Sequence, residues 1–230
     1  QKQPPSLAVL PFVDMSPDKD QGYLGEGIAE ELIHALARIQ ELRVVARTSA
    51  FALKDKNMDV RDIGRLLNVQ AVLEGSIRKA GRHLRVTVQL INVADGFHLW
   101  SERFDQETDD VFAIQDAISL ATVENLKGTL KVAEESALKR RSTYDAEAHN
   151  SYLKGLYYVA RPNPDSFAKA LKFFQEALDR DPGYALAYAG MANVHSAMGI
   201  MNFVPAEEAW PKAKAAFEKD PEKYLQGEEG

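Results

Sequence analysis

Gly22-x-x-Gly25-x-Gly27 is the spacing in this chain best suited to a phosphate, because backbone N–H groups at a helix start point outward and glycines let a ligand come close. The order departs from the dinucleotide fingerprint, and no Lys-Ser/Thr pair follows. Glu26, Glu30 and Glu31 would repel a phosphate from the same helix end. Gly22, Gly25 and Gly27 are therefore a candidate ligand loop, with glycines that merely shape the helix start as the plainer reading. Glu30 and His34 stand one helical turn apart, as do Glu26 and Glu30, so a carboxylate and an imidazole could share a metal ion. No second histidine is near in sequence: His83, His98, His149 and His195 are scattered without ligand spacing, and i, i+4 Glu/His pairs are ordinary on wet helix faces. Ser49 and Ser101 lack the glycines of a nucleophile elbow. Trp100, in an alternating segment, reads as cross-strand packing, with a ligand shelf as the alternative. With no cysteine in the chain, disulfides, thiolate catalysis and cysteine metal sites are excluded together. No acid–base or nucleophile constellation emerges, so a non-enzymatic chain without cofactor or metal is expected.

The elements that must position these residues follow from composition and period. At 230 residues, 45% hydrophobic and 27% charged, the chain is globular and has room for two domains, and it lacks the run of about 18 apolar residues that a spanning helix needs. A net charge of −6 argues against nucleic acid. The one tight basic run, Lys139-Arg140-Arg141, falls at an expected helix C-terminus, where cations complement the dipole. The first residues, Gln1-Lys2-Gln3-Pro4-Pro5, read as a linker cut from something longer.

Residues 7–12 are an apolar run with Pro11 inside, a buried strand. Ser16-Pro17-Asp18 is turn chemistry, and Ile28, Leu32, Leu36 and Ile39 predict a helix over 23–39. Residues 42–47 give a second strand, and residues 60–67 a short helix with Asp59 as N-cap. From 71 to 104 the period is two, and turns at Gly81 and Gly96 divide it into a three-strand meander. Val111, Ile114, Ile118 and Ala121 open a long helix, with Asp109-Asp110 at its start, running to about residue 139. The order is β-α-β-α-β-β-β-α.

Beyond Arg141 the pattern is helical throughout. Ala170, Phe174 and Ala177 share one face, and Asp181-Pro182-Gly183-Tyr184 stops that helix and starts another. Gly155 and Tyr158 fill the small and aromatic slots of a preceding helix, while Tyr188, Met191, Ala192 and His195 restart the pattern. This resembles tetratricopeptide repeats, whose period is about 34 residues, and implies all-α helical hairpins. The helix over 205–219 fits poorly, since Asp220 falls where a small apolar residue belongs. Two repeats are fewer than the three or so that usually stand alone, so the parent is expected to continue. The boundaries are a linker at 1–6, an α/β domain at 7–139, a linker at 140–144, two repeats at 145–219 and a tail at 220–230.

The segments Ser6-Leu7-Ala8-Val9-Leu10-Pro11-Phe12, Tyr23-Leu24-Gly25-Glu26-Gly27-Ile28-Ala29-Glu30-Glu31-Leu32, 42–49, Val72-Leu73-Glu74-Gly75-Ser76, Leu99-Trp100-Ser101-Glu102-Arg103 and Phe112-Ala113-Ile114-Gln115-Asp116 together resemble the TolB amino-terminal-like domain of bacterial signalling proteins. In that family the domain is commonly followed by tetratricopeptide repeats and sits downstream of an output module: a CadC-type winged helix, a serine/threonine kinase or an adenylate or other nucleotide cyclase. The resemblance implies a bacterial sensory or scaffolding segment, in the cytoplasm or on the soluble side of a membrane-anchored parent, and it assigns no catalytic residue.

Two functions follow as expectations. The first is a protein-interaction module that binds a protein or peptide, or a second copy of itself, but neither nucleic acid nor membrane. In repeat geometry its concave side would present His149, Tyr152, Leu156, Val159, Leu186, Ala189, Asn193 and Ser196. The second is a small-molecule-sensing regulatory domain, using the Gly22 to Gly27 loop and the meander to control a linked kinase, cyclase or DNA-binding output.

Overall fold

The computed structural model describes residues 4–107, 111–127, 138 and 142–219. The chain divides into two compact units, Gln1–Arg140 and Arg141–Gly230. Among the described residues no helix is long and apolar enough to cross a membrane.

The first unit is built on a mixed sheet of β1 (Ser6–Val9), β2 (Val13–Asp14), β3 (Arg43–Val44), β4 (Ala71–Ala80), β5 (His83–Asn92) and β6 (His98–Glu107). The order is β3-β1-β4-β5-β6, with β2 also on β4. Pairs within β1–β4 are parallel and the β4-β5-β6 meander is antiparallel, as the change of period predicts. Gly81 and Gly96 turn the meander with φ of 59° and 77°, the left-handed region where glycine carries no Cβ penalty. The outermost strand, β6, is exposed along most of its length.

Four helices belong to this unit among the described residues: α1 (Gly22–Ala37), α2 (Arg47–Phe51), α3 (Val60–Leu67) and α4 (Val111–Lys127). α1 and α4 pack on one another and on the sheet. Alternation places the fully buried Leu7, Val9, Leu73, Ile77, Val86, Val88 and Leu90 on the face they cover. Ala8 and Val72 turn the other way and form a second, smaller core with Leu53, Ile63 and Val69 around α2 and α3. That cover stops short, and further along the same face β4 and β5 present polar side chains.

Several expectations need correction. The strand over 7–12 stops at Val9, because the ladder ends at the Leu10 N–H, which donates to Leu73 O at 2.9 Å, and Pro11 has no N–H to extend it. The chain bends there, and the Phe12 N–H reaches Gly25 O at 3.4 Å before β2 rejoins β4. The strand over 42–47 shortens to β3, since after the Val45 N–H donates to Leu7 O the chain turns into the unforeseen helix α2. The N-cap at Asp59 is present: its carboxylate accepts from the Arg61 N–H at 2.8 Å. Asp109-Asp110 and the helix reading over most of 128–139 lie outside the described residues, as does Lys139-Arg140-Arg141.

The second unit holds α5 (Ala146–Val159), α6 (Pro164–Arg180), α7 (Ala185–Ile200) and α8 (Ala206–Glu218). Asp145 caps α5, and Asn163 with Pro164 starts α6. Short links at 160–163, 181–184 and 201–205 make each helix pack on the next, and α5 also touches α7. The Phe174 ring is fully buried, and a Cβ on Gly155 or on Gly190 would fall 2.4 Å or 2.6 Å from it. Three helices thus meet where two of them carry no side chain.

Removing that ring leaves a void lined by two glycines that cannot fill it, so Phe174→Ala is expected to lose about 3–5 kcal/mol in urea unfolding; a loss below about 1 kcal/mol would contradict the packing described. Gly25→Ala is expected to cost about 1–3 kcal/mol, because the new methyl would sit 2.5 Å from Phe12 O, a backbone atom.

Candidate functional site

The glycines proposed as a phosphate loop lie within α1 itself. Gly25 and Gly27 are buried, and a Cβ on Gly25 would strike Phe12, so Gly25 serves close packing. The turn before α1 is held by Asp14, whose carboxylate accepts from the Ser16 N–H at 2.8 Å and the Gln21 N–H at 2.7 Å. Burial pulls the Asp14 carboxyl upward, but the hydrogen bonds from Ser16 and Gln21 and the charge of Lys19 outweigh it and hold the pKa below its ordinary value.

The carboxylates of α1 have structural partners. Glu26 is 5% exposed and accepts from Lys54 Nζ at 2.7 Å; Glu30 is 8% exposed and accepts from Arg47 Nε at 2.7 Å. One turn apart on α1, the two hold α2 and Lys54, three residues beyond its end. This displaces the metal reading of Glu26, Glu30 and His34. Burial lowers the His34 pKa, with Glu30 opposing that fall and Arg38 and Arg47 adding to it. Ser49 and Ser101 are exposed on α2 and β6. Trp100 pairs across from Leu90 and lies 6.4 Å from the Phe104 ring, so it packs within the meander.

Securing α2 in this way leaves a cleft between the 53–58 link and the open part of the sheet. Its volume is about 710 Å³. One wall is the β1–β2 bend with Leu10, Pro11, Val13 and Met15; the other is Leu53, Lys54, Asp55, Lys56, Asn57 and Met58. The floor is Glu74 and Ser76 of β4 with Gln89 and Thr87 of β5, which stand opposite one another in register. It lies past the carboxyl end of β1, where open α/β sheets commonly bind ligands. Of the three glycines only Gly22 lines it, and the meander contributes β4 and β5. Lys54, Lys56 and Asn57 escaped sequence reasoning because nothing marked 53–58 as more than a polar loop, although the floor was visible as the wet face of an alternating strand.

In the helical unit the expected concave residues separate into two groups. His149 and Tyr152 are each 4% exposed: the Tyr152 ring lies 5.0 Å from that of Tyr184 and 5.8 Å from that of Phe174, and His149 Nδ1 is 3.2 Å from the Tyr184 hydroxyl. Both are core residues and cannot line a groove. Leu156, Val159, Leu186, Ala189 and Ser196 are half-buried and Asn193 is exposed. His195 lies beside a smaller cavity of about 270 Å³ between α6, α7 and α8, and burial, then Lys212, lowers its pKa.

Comparison with known proteins gives a family and one close relative. Residues 2–120 match the family described as HilA/YgeH-like transcriptional regulator, second domain. A Rhizobium meliloti (strain 1021) protein named "Putative adenylate cyclase 3" is 39% identical over 188 residues, covering 82% of this chain. The chain spans 32% of that relative's length. Among solved structures, TolB from Acinetobacter baumannii matches 56% of this chain and 30% of its own at 16% identity and a TM-score of 0.40. Lipoprotein GNA1162 from Neisseria meningitidis matches 53% of this chain and 98% of its own, also at 16% and 0.40. The resemblance to bacterial regulatory proteins thus holds at the level of the family, while tetratricopeptide repeats are not among these matches.

Glu31 supplies a test of the α1 surroundings. Its Oε1 is buried with no hydrogen-bond partner among the described residues, and burial pushes the carboxyl up to about 7, with Glu30 adding to the rise and Arg38 opposing it. The folded state therefore binds this proton more tightly than the unfolded chain, so the stability it brings is full below the ordinary value of 4.5 and is lost as pH rises through about 7. Glu31→Gln is expected to raise the urea midpoint at about pH 8, leave it nearly unchanged at about pH 4, and flatten the profile between; a parallel profile would show that Glu31 is not the group responsible.

Proposed function

The chain belongs to the family of the HilA/YgeH-like transcriptional regulator second domain, and from that premise we propose that it is the non-catalytic regulatory part of a larger signalling protein. Its helical unit binds a peptide or protein segment. The output, cyclase activity or DNA binding, resides elsewhere in the parent. The name of the Rhizobium meliloti relative favours a cyclase parent and the family description favours a transcriptional one.

The observation that carries the interaction reading is Phe174 seated between Gly155 and Gly190. Small residues on α5 and α7 facing one aromatic of α6 are what layered helix pairs need, and the α5–α7 contact suits the first helices of two consecutive repeats. On this reading the helices are tetratricopeptide pairs. With His149 and Tyr152 removed to the core, the groove consists of Leu156, Val159, Leu186, Ala189, Asn193 and Ser196. Its apolar and amide character suits a helical or extended peptide.

A displayed random-peptide library panned against the whole chain tests the groove. Enriched peptides are expected to bind Leu156→Glu/Asn193→Glu at least tenfold more weakly than wild type, since a half-buried apolar contact and an exposed amide are both replaced by charge. Equal binding to a folded double variant would remove the groove assignment.

A further inference from the structure

The helical groove leaves the α/β cleft unused, and the composition of that cleft is specific enough to name a ligand class. Glu74, Ser76, Thr87 and Gln89 form a two-by-two block on one face of the sheet. All four are half-buried, and the side chains of Ser76, Thr87 and Gln89 make no hydrogen bond with any described residue. Half-buried polar side chains that face a cleft without protein partners are open to bond an occupant.

The charges around the block narrow the choice. Asp14 is engaged by backbone N–H groups and Lys54 by Glu26, and Asp55 and Lys56 are both exposed on the wall. That leaves one carboxylate on the floor, Glu74, and one lysine on the wall, Lys56, which pairs with no described residue. Burial raises the Glu74 pKa, with the charge of His98 opposing the rise. A phosphate would meet a negative floor, and a plain amine would leave Lys56 unused. The apolar wall has a free end at Val13, which is 56% exposed, and at Met15, which is 54% exposed.

We propose that this cleft binds a small zwitterion of the amino-acid class, with its ammonium on Glu74, its carboxylate on Lys56 and an apolar side chain along Leu10, Val13 and Met15. The volume of about 710 Å³ is within the range of ordinary ligand pockets, about 300–1,000 Å³, and ample for a large side chain. Leucine, methionine and phenylalanine therefore bind better than glycine. This inference does not rest on the helical groove, since each site lies in its own unit.

Calorimetry and thermal shift on the whole chain with free L-amino acids test the proposal, with N-acetyl-L-phenylalanine and phenethylamine as arms that cap or remove one charge. Phenylalanine or leucine is expected to bind, each one-charge analogue at least tenfold more weakly. Glu74→Gln and Lys56→Met are each expected to weaken binding about tenfold or more while keeping the wild-type circular dichroism. Thr87→Val offers a second, uncharged perturbation of the floor, with a smaller loss. Absence of any shift with amino acids at about 10 mM, phenethylamine binding as tightly as phenylalanine, or a Glu74→Gln variant within twofold of wild type would each overturn the assignment.

Discussion

Two carboxylates on one turn of α1 govern what the α/β unit can offer. Glu26 and Glu30 are buried, and each reaches a cation in or just beyond α2 at 2.7 Å. Taking both charges out of water costs several kcal/mol per ion, which the pairing largely offsets, so their value lies in position more than in net stability. The Arg47 guanidinium also sits 4.3 Å over the Phe51 ring, which fixes the same short helix from a second direction. Without these contacts a five-residue helix has too few internal hydrogen bonds to persist, and the link that follows it would have no fixed place beside the sheet. A cleft exists because α2 is tethered.

The two units solve the packing problem with the same device. In each, a glycine faces an obstacle that any larger residue would strike: Phe12 against Gly25 in the first, Phe174 against Gly155 and Gly190 in the second. Close approach fixes the relative position of neighbouring elements to within a side chain's width, because dense interiors deform in steps rather than smoothly. Such rigidity suits a regulatory segment, whose product is a surface held in shape.

Much of the fold was legible because it rests on local signals. The meander followed from a period of two with glycine at both turns, α1 from Ile28, Leu32 and Leu36, and α3 from its Asp59 cap. What escaped was decided by contacts distant in sequence. Nothing local in 42–47 announces that the strand ends at Val44, where the chain leaves β1 to enter α2. Nor does sequence say that His149 and Tyr152 face inward: that depends on Tyr184, 35 and 32 positions along the chain, turning its ring toward them. The glycines of α1 allowed two readings for a related reason. Glycine near a helix start signals either an approaching ligand or an approaching backbone, and only the bend at Pro11 selects the second. The cleft was half legible: its floor was a visible polar strand face, whereas its second wall required the unforeseen α2.

The outermost strand of the sheet carries a different kind of obligation. Ten residues of β6 run along a border with no described neighbour beyond them, so the outward N–H and C=O groups are open to any passing strand. Glu102, Arg103, Asp105 and Glu107 crowd that border with charge, and Asp105 is fastened to Arg85 and Arg103. Charge of this kind along an open border disfavours edge-to-edge strand pairing. The sequence freedom of β6 is thus narrower than its exposure suggests, because an uncharged border strand would invite pairing with another chain.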